Sequence, residues 1–235
     1  MQVLVGTSGY SYKEWKGTFY PEDLKDAEML RYYAQHLTTV EINNTFYRMP
    51  KASVLENWGA QVPEGFVFVL KGSQRITHMQ RLRNAEENVA FLFATAASLG
   101  PKLGPVFFQL PPFLKKDVPR LAAFLELLPK DRPVAFEFRH ETWFDDEVYD
   151  TLRSRSVALC AADTDESGDE GAPIVATAGF GYLRLRRASY SDQDLAAWAE
   201  RVSNQPWDRA FVFFKHEDAG KGPALAARFR SIVGA

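Results

Sequence analysis

Three short apolar stretches of this chain carry charge toward their ends. In VAFEFR (134–139), Glu137 and Arg139 alternate with Phe136 and Phe138. In GYLRLR (181–186), Arg184 and Arg186 alternate with Leu183 and Leu185. In TVEIN (39–43), Glu41 and Asn43 alternate with Val40 and Ile42. Side chains on a strand point alternately to opposite faces, so each stretch sets a charged face against an apolar one. The same reading puts Lys71 at the end of FVFVLK, Gln109 near the end of VFFQL, Asp163 after LCAAD and Lys215 after FVFFK. The carboxylates Glu41, Glu137 and Asp163 can act as general bases. A lysine can serve as acid or stabilise a developing oxyanion. Arginine forks match phosphate and carboxylate. Five cations (Lys71, Arg139, Arg184, Arg186, Lys215) against those three carboxylates leave a positive surplus in a chain of net charge −2. The expected ligand is therefore a small anion. His78, His140 and His216 follow strand ends and titrate near neutrality, which suits acid/base work.

These groups must be carried to one place. Strand candidates are 3–6, 39–42, 66–71, 105–110, 134–139, 157–163, 181–186 and 210–215. Helical patterns lie between them near 22–36, 53–61, 84–99, 117–128, 145–155, 192–203 and 223–232. Ser53, Asn84, Asp117, Asp145 and Ser191 are the candidate helix caps. Regular alternation of strand and helix predicts parallel βαβ units. Eight of them in roughly 250 residues predict a single α/β domain over 1–235, a (β/α)8 TIM-type barrel. The Gly-rich acidic stretch 163–173 is expected to replace or shorten the helix after strand six, and it is a candidate lid. The apolar faces must meet the helices, so the charged faces point inward at the C-terminal ends of the strands. Barrel enzymes carry their sites there.

Composition sets bounds. Apolar residues make up 46% and charged residues 25%, which excludes a disordered or low-complexity chain. The lone Cys160 excludes an internal disulfide and a multi-thiolate metal site, and its mid-strand position suits a small buried group. No apolar stretch approaches the ~20 residues of a membrane span. The opening MQVLVGTSGY lacks a signal-peptide pattern, so a cytoplasmic protein is expected. No cofactor is expected. A divalent metal held by histidines and carboxylates is an open but unsupported alternative, since no H-E-x-x-H spacing occurs. The GTSGY turn (6–10), with Thr7, Ser8 and Tyr10, can either present backbone N–H groups to an anion or simply turn the chain. Tyr10, Tyr12, Trp15, Phe19, Tyr20, Phe46, Tyr47 and Trp143 can cap the core or stack a base or sugar.

The segments GTSGYSYKEWKGTFYP (6–21), VEINNTFYRMP (40–50), GPVFFQLPP (104–112) and FEFRHETW (136–143) resemble the YecE-like family, also called domain of unknown function 72. The resemblance runs over nearly the whole chain. It implies a TIM-type barrel without an established activity. It also implies that Gly6, Thr7, Ser8, Glu41, Asn43, Phe46, Tyr47, Arg48, Gln109, Glu137, Arg139, His140, Trp143 and Arg184 belong to a shared site. Likeness of that site to barrels of the endonuclease IV type implies DNA binding. Two places depart from the family pattern. Arg184-Leu185-Arg186-Arg187 stands where many members read R-x-H-G, and Lys215-His216 stands where an Asn pair is common. Both add positive charge.

Three functional readings follow. The first is a metal-independent enzyme on a small phosphorylated or carboxylated substrate. Arg184, Arg186, Lys215 and His216 would hold the anion, Glu137 or Glu41 would be the base, and Lys71 or His140 the acid, with Asp163 in the same ring. The second is nucleic-acid binding or phosphodiester chemistry, with salt-sensitive affinity. The third is a non-catalytic binding or scaffold protein, which an exposed apolar patch would favour.

Overall fold

Each apolar run that carries charge toward its end forms a strand in the computed structural model, which describes residues 1–165, 173–215 and 219–234. The strands are β1 (Gln2–Ser8), β2 (Thr39–Ile42), β3 (Val67–Lys71), β4 (Leu103–Gln109), β5 (Val134–Glu137), β6 (Ala158–Asp163), β7 (Phe180–Leu185) and β8 (Arg209–Phe214). They close in sequence order into a barrel, and β1 pairs in parallel with β8. The helices between them are α1 (Met29–His36), α2 (Ala52–Gln61), α3 (Glu86–Ala96), α4 (Val118–Glu126), α5 (Asp146–Ser154), α6 (Asp192–Ser203) and α7 (Lys221–Val233). Among the described residues β6 and β7 have no helix between them, as the sequence predicts.

Three of the expected caps hold. Asp117 accepts from Arg120 N at 3.0 Å, Asp145 accepts from Val148 N at 3.2 Å, and Ser191 forms a reciprocal box with Asp194. The other two do not. Ser53 lies inside α2, because Lys51 already provides the extended residue before the helix. Asn84 has φ 49°, a left-handed conformation outside the extended region usual for a cap, and α3 starts after Ala85.

Side chains fill the barrel in layers. Leu4, Val69, Phe107, Ala135, Ala158, Cys160, Tyr182, Phe211 and Phe213 form its apolar interior. The Phe107 and Tyr182 rings stack 4.9 Å apart at 7°, and Phe213 packs on Tyr182 at 5.4 Å. The alternate residues, such as Val5, Val40, Phe136, Leu183 and Phe214, face the helices. At Gly6 of β1 there is no room for a side chain: a Cβ there would lie 1.9 Å from the carbonyl oxygen of Thr39 on β2. No helix among the described residues is long and apolar enough to cross a membrane.

Candidate functional site

Strand register places the polar layer directly above that aromatic floor. Ser8 is the register partner of Glu41, and Gln109 that of Glu137. The side chains bond as the backbones do. Ser8 Oγ donates to Glu41 Oε1 at 2.8 Å, and Gln109 Nε2 donates to Glu137 Oε1 at 2.5 Å. Arg184, from β7, spans the two carboxylates. Its Nη1 lies 2.7 Å from Glu137 Oε2 and its Nη2 3.0 Å from Glu41 Oε1. Tyr182 OH and Asn43 Nδ2 complete the shell of Glu41, at 2.6 Å to Oε2 and 3.1 Å to Oε1. Lys71 Nζ donates to Gln109 Oε1 at 2.8 Å and lies 4.6 Å above the Phe46 ring.

Charge in this layer is set by proximity. Burial is the largest single influence and pushes the Glu41 and Glu137 carboxyls up, but the Arg184 guanidinium, the other nearby cations and the hydrogen bonds together outweigh it and hold both below the usual range. Hydrogen bonds from Tyr182 and Ser8 to Glu41, and from Gln109 to Glu137, act in the same direction. Burial and then the neighbouring Arg184 charge bring Lys71 down to about 8. Arg186 is also lowered, by burial and by Arg184. Above the layer, Arg186 Nη1 stands 3.9 Å and Arg139 Nε 4.0 Å from Glu137 Oε1. The Nε atoms of Arg184 and Arg186 are buried without a hydrogen-bond partner.

The inward ring is therefore Ser8, Glu41, Asn43, Lys71, Gln109, Glu137 and Arg184, with Arg139 and Arg186 at its rim. Lys215 follows β8 in phase with the inward Phe213 and is half-buried. Arg48 is exposed next to Tyr47. His216 and most of the stretch 163–173 lie outside the described residues.

Three expectations need correction, at Asp163, Thr7 and the loop aromatics, and the open reading of the GTSGY turn is decided in favour of a structural turn. Asp163 is not in the ring. On β6 the inward residues are Ala158 and Cys160, so Asp163 faces the helices. There it accepts from Arg187 Nε at 2.8 Å, Tyr190 OH at 3.0 Å and Trp198 Nε1 at 3.1 Å. Thr7 also faces outward, bonded to Tyr33 OH of α1 at 2.9 Å through its own N–H and again through its hydroxyl. The GTSGY turn offers no anion cradle at Thr7 or Gly9: the Thr7 N–H is used by Tyr33, and Gly9 N–H donates to the Glu41 carbonyl at 2.8 Å. Most of the loop aromatics are core. Trp15 and Tyr20 are buried. Trp143 is buried too, stacks 4.6 Å from Phe138 and donates to Leu114 O. Tyr10 packs against Tyr33 and Trp58, and burial pushes its hydroxyl up to about 12.

Phe46 and Tyr47 do stay at the mouth, the latter 72% exposed. Tyr47, with Met79, Phe91 and Arg75, lines a cleft of about 810 Å³ beside it. His140 Nδ1 accepts from Thr142 N at 3.2 Å, a local capping role. His78 sits 5.0 Å from Phe46, and burial followed by the Lys71 charge lowers its pKa. Tyr182 is a site member that sequence reading left out, although it shares the phase of Arg184. No three His, Cys, Asp or Glu side chains among the described residues group as metal ligands.

An eight-stranded parallel barrel with helices between its strands is a TIM-type barrel, and its charged layer lies at the strand ends where barrel enzymes carry their sites. The family model "Protein of unknown function DUF72" matches residues 4–235, and the chain belongs to that family. It is 34% identical over 143 residues to the UPF0759 protein YecE of Escherichia coli, a match covering 60% of this chain and 50% of that protein. It is 27% identical over 226 residues to YunF of Bacillus subtilis, covering 91% and 78%. The matched stretch thus spans about half the length of the YecE relative. The crystal structure of a DUF72 family protein from Thermotoga maritima superimposes with a TM-score of 0.88 at 25% identity, covering 100% of both chains.

Proposed function

We propose that the barrel mouth binds a small phosphate- or carboxylate-bearing molecule and moves a proton to or from it with Lys71. The carrying observation is the unbalanced charge. Among the described residues, Arg139, Arg184 and Arg186 pair with only Glu41 and Glu137, Lys71 bonds the neutral Gln109 amide, and the buried Arg186 Nε lacks a partner. Arg184 is committed to both carboxylates, so the donors left for an anion are Arg186 and Arg139. Glu41 and Glu137 are held ionised by Arg184, which makes them weak bases and firm anchors. Lys71, titrating at about 8, is the better-matched acid/base.

The test is thermal stabilisation by inorganic phosphate, sugar phosphates and small carboxylates, in wild type and Arg186→Gln. An anion at a hundred times its Kd should raise Tm by about 5–10 °C. Arg186→Gln should keep the fold and lose most of that gain. No stabilisation by any of these anions overturns the proposal. The exposed Tyr47 beside Arg75 in the adjoining cleft favours a second reading, in which a base stacks there and the mouth holds its phosphate. Stabilisation by short single-stranded DNA alone, falling steeply with salt, would select that reading.

A further inference from the structure

We propose that Lys71 is a covalent group: its Nζ condenses with the aldehyde or ketone carbonyl of an anionic substrate to form an imine. This rests on the anion-binding reading and names the substrate class, a carbonyl compound that also carries carboxylate or phosphate.

Lysine Nζ is a nucleophile only as the neutral amine, a form that desolvation or a neighbouring cation favours and a carboxylate partner disfavours. Lys71 meets the structural conditions. Phe46 and Phe107 flank its nitrogen at 4.6 and 6.0 Å. Its side chain makes no ion pair among the described residues, and its hydrogen bond goes to the neutral Gln109 amide. The neighbouring Arg184 charge and burial favour the neutral amine.

The anion donors are placed to suit. Gln109 links Lys71 to Glu137 Oε1, and Arg186 and Arg139 reach the same oxygen from the rim. An anion held by those two arginines brings its carbonyl toward the lysine.

The step balances without a redox partner. One proton leaves the Nζ ammonium and frees its electron pair. The N–C bond forms while the carbonyl π pair moves to oxygen, and a second nitrogen proton passes to that oxygen. The first proton then joins the hydroxyl, which departs as water and leaves a protonated imine.

The experiment is reductive trapping on the intact wild-type chain. Glyoxylate and glycolaldehyde phosphate are the probes, cyanoborohydride the reductant, and peptide mass mapping the readout near pH 7.5. The two probes distinguish carboxylate from phosphate as the recognised group. Lowered to about 8 against 10.5, Lys71 has a roughly two-hundredfold larger neutral fraction at this pH than an ordinary lysine, so it should be modified at least about tenfold faster than the other lysines. Inorganic phosphate should slow that modification, and Lys71→Arg should abolish adduct at this site. If anions stabilise the wild-type protein while adducts spread evenly over surface lysines, the imine is overturned and the anion site stands. Absence of both stabilisation and Lys71 adduct overturns both.

Discussion

Lys71 and Glu137 communicate through one amide instead of an ion pair. Lys71 Nζ donates to Gln109 Oε1 at 2.8 Å, and Gln109 Nε2 donates to Glu137 Oε1 at 2.5 Å. The amide has one acceptor and one donor end, so it satisfies both charges while keeping them apart. The consequence is testable at Gln109. Gln109→Leu strips a donor from a buried carboxylate and an acceptor from a buried ammonium. It should destabilise the chain by about 1–3 kcal/mol, measured by urea unfolding. Gln109→Glu, which supplies Lys71 with a carboxylate, should instead raise the Lys71 pKa and slow its reaction with amine reagents.

Arg184 compensates two buried carboxylates at once. Arg184→Met leaves Glu41 without an ion pair among the described residues and Glu137 with only the longer contacts to Arg139 and Arg186, and should cost about 3–5 kcal/mol or abolish folding. Adding Glu41→Gln and Glu137→Gln to Arg184→Met should recover a large part of that loss in denaturant titrations. Equal stability of the single and triple variants would refute the charge account.

Two pH limbs follow from the shifts. Glu41 and Glu137 are lowered, so their contribution is complete above the ordinary carboxylate range near 4.5 and is lost as pH falls through their folded values. Stability should therefore drop steeply only well into acid. Lys71 is lowered to about 8 against 10.5 unfolded, so between these values the unfolded chain binds the extra proton. Stability should rise with pH from about 8 and level off near 9, because the buried Cys160 thiol is pushed up and ionises there only in the unfolded chain, and it should fall once the unfolded-state tyrosines ionise near 10. In Lys71→Met the rise should be missing.

Asp163 separates architecture from chemistry. Its three donors come from Arg187, Tyr190 and α6 Trp198, all on the helix side of the wall. Asp163→Ala should lower stability by about 2–4 kcal/mol through orphaned donors. The anion-induced Tm gain should remain, as thermal shift with phosphate will show.

Much of this was legible from residue order. Glu137 and Arg184 were readable because bulky aromatic or Leu residues alternate with charge on β5 and β7, which gives a clear phase. Asp163 misled because β6 is Ala-rich, so its phase rests on Leu159 alone, the one bulky apolar residue and one that shares the face of Asp163. Cys160 inside the barrel fixes that phase only once the structure is seen. Thr7 and Trp143 misled for another reason. Their hydrogen bonds run to Tyr33 and Leu114, 26 and 29 residues away, and such partners leave no local signal. The capping pairs were legible at Asp117, Asp145 and Ser191, where donor and acceptor lie within one turn.

The pairing of β1 with β8 closes the barrel between the two most distant strands of the chain. On a growing polypeptide, β1 offers a bare row of amides and carbonyls until β8 has been made, and a bare edge invites foreign strands. Closure by such remote contacts is intrinsically slow. The hazardous moment for this protein is thus its synthesis, and agents that shield unpaired strand edges should raise its soluble yield more than agents that stabilise the finished barrel.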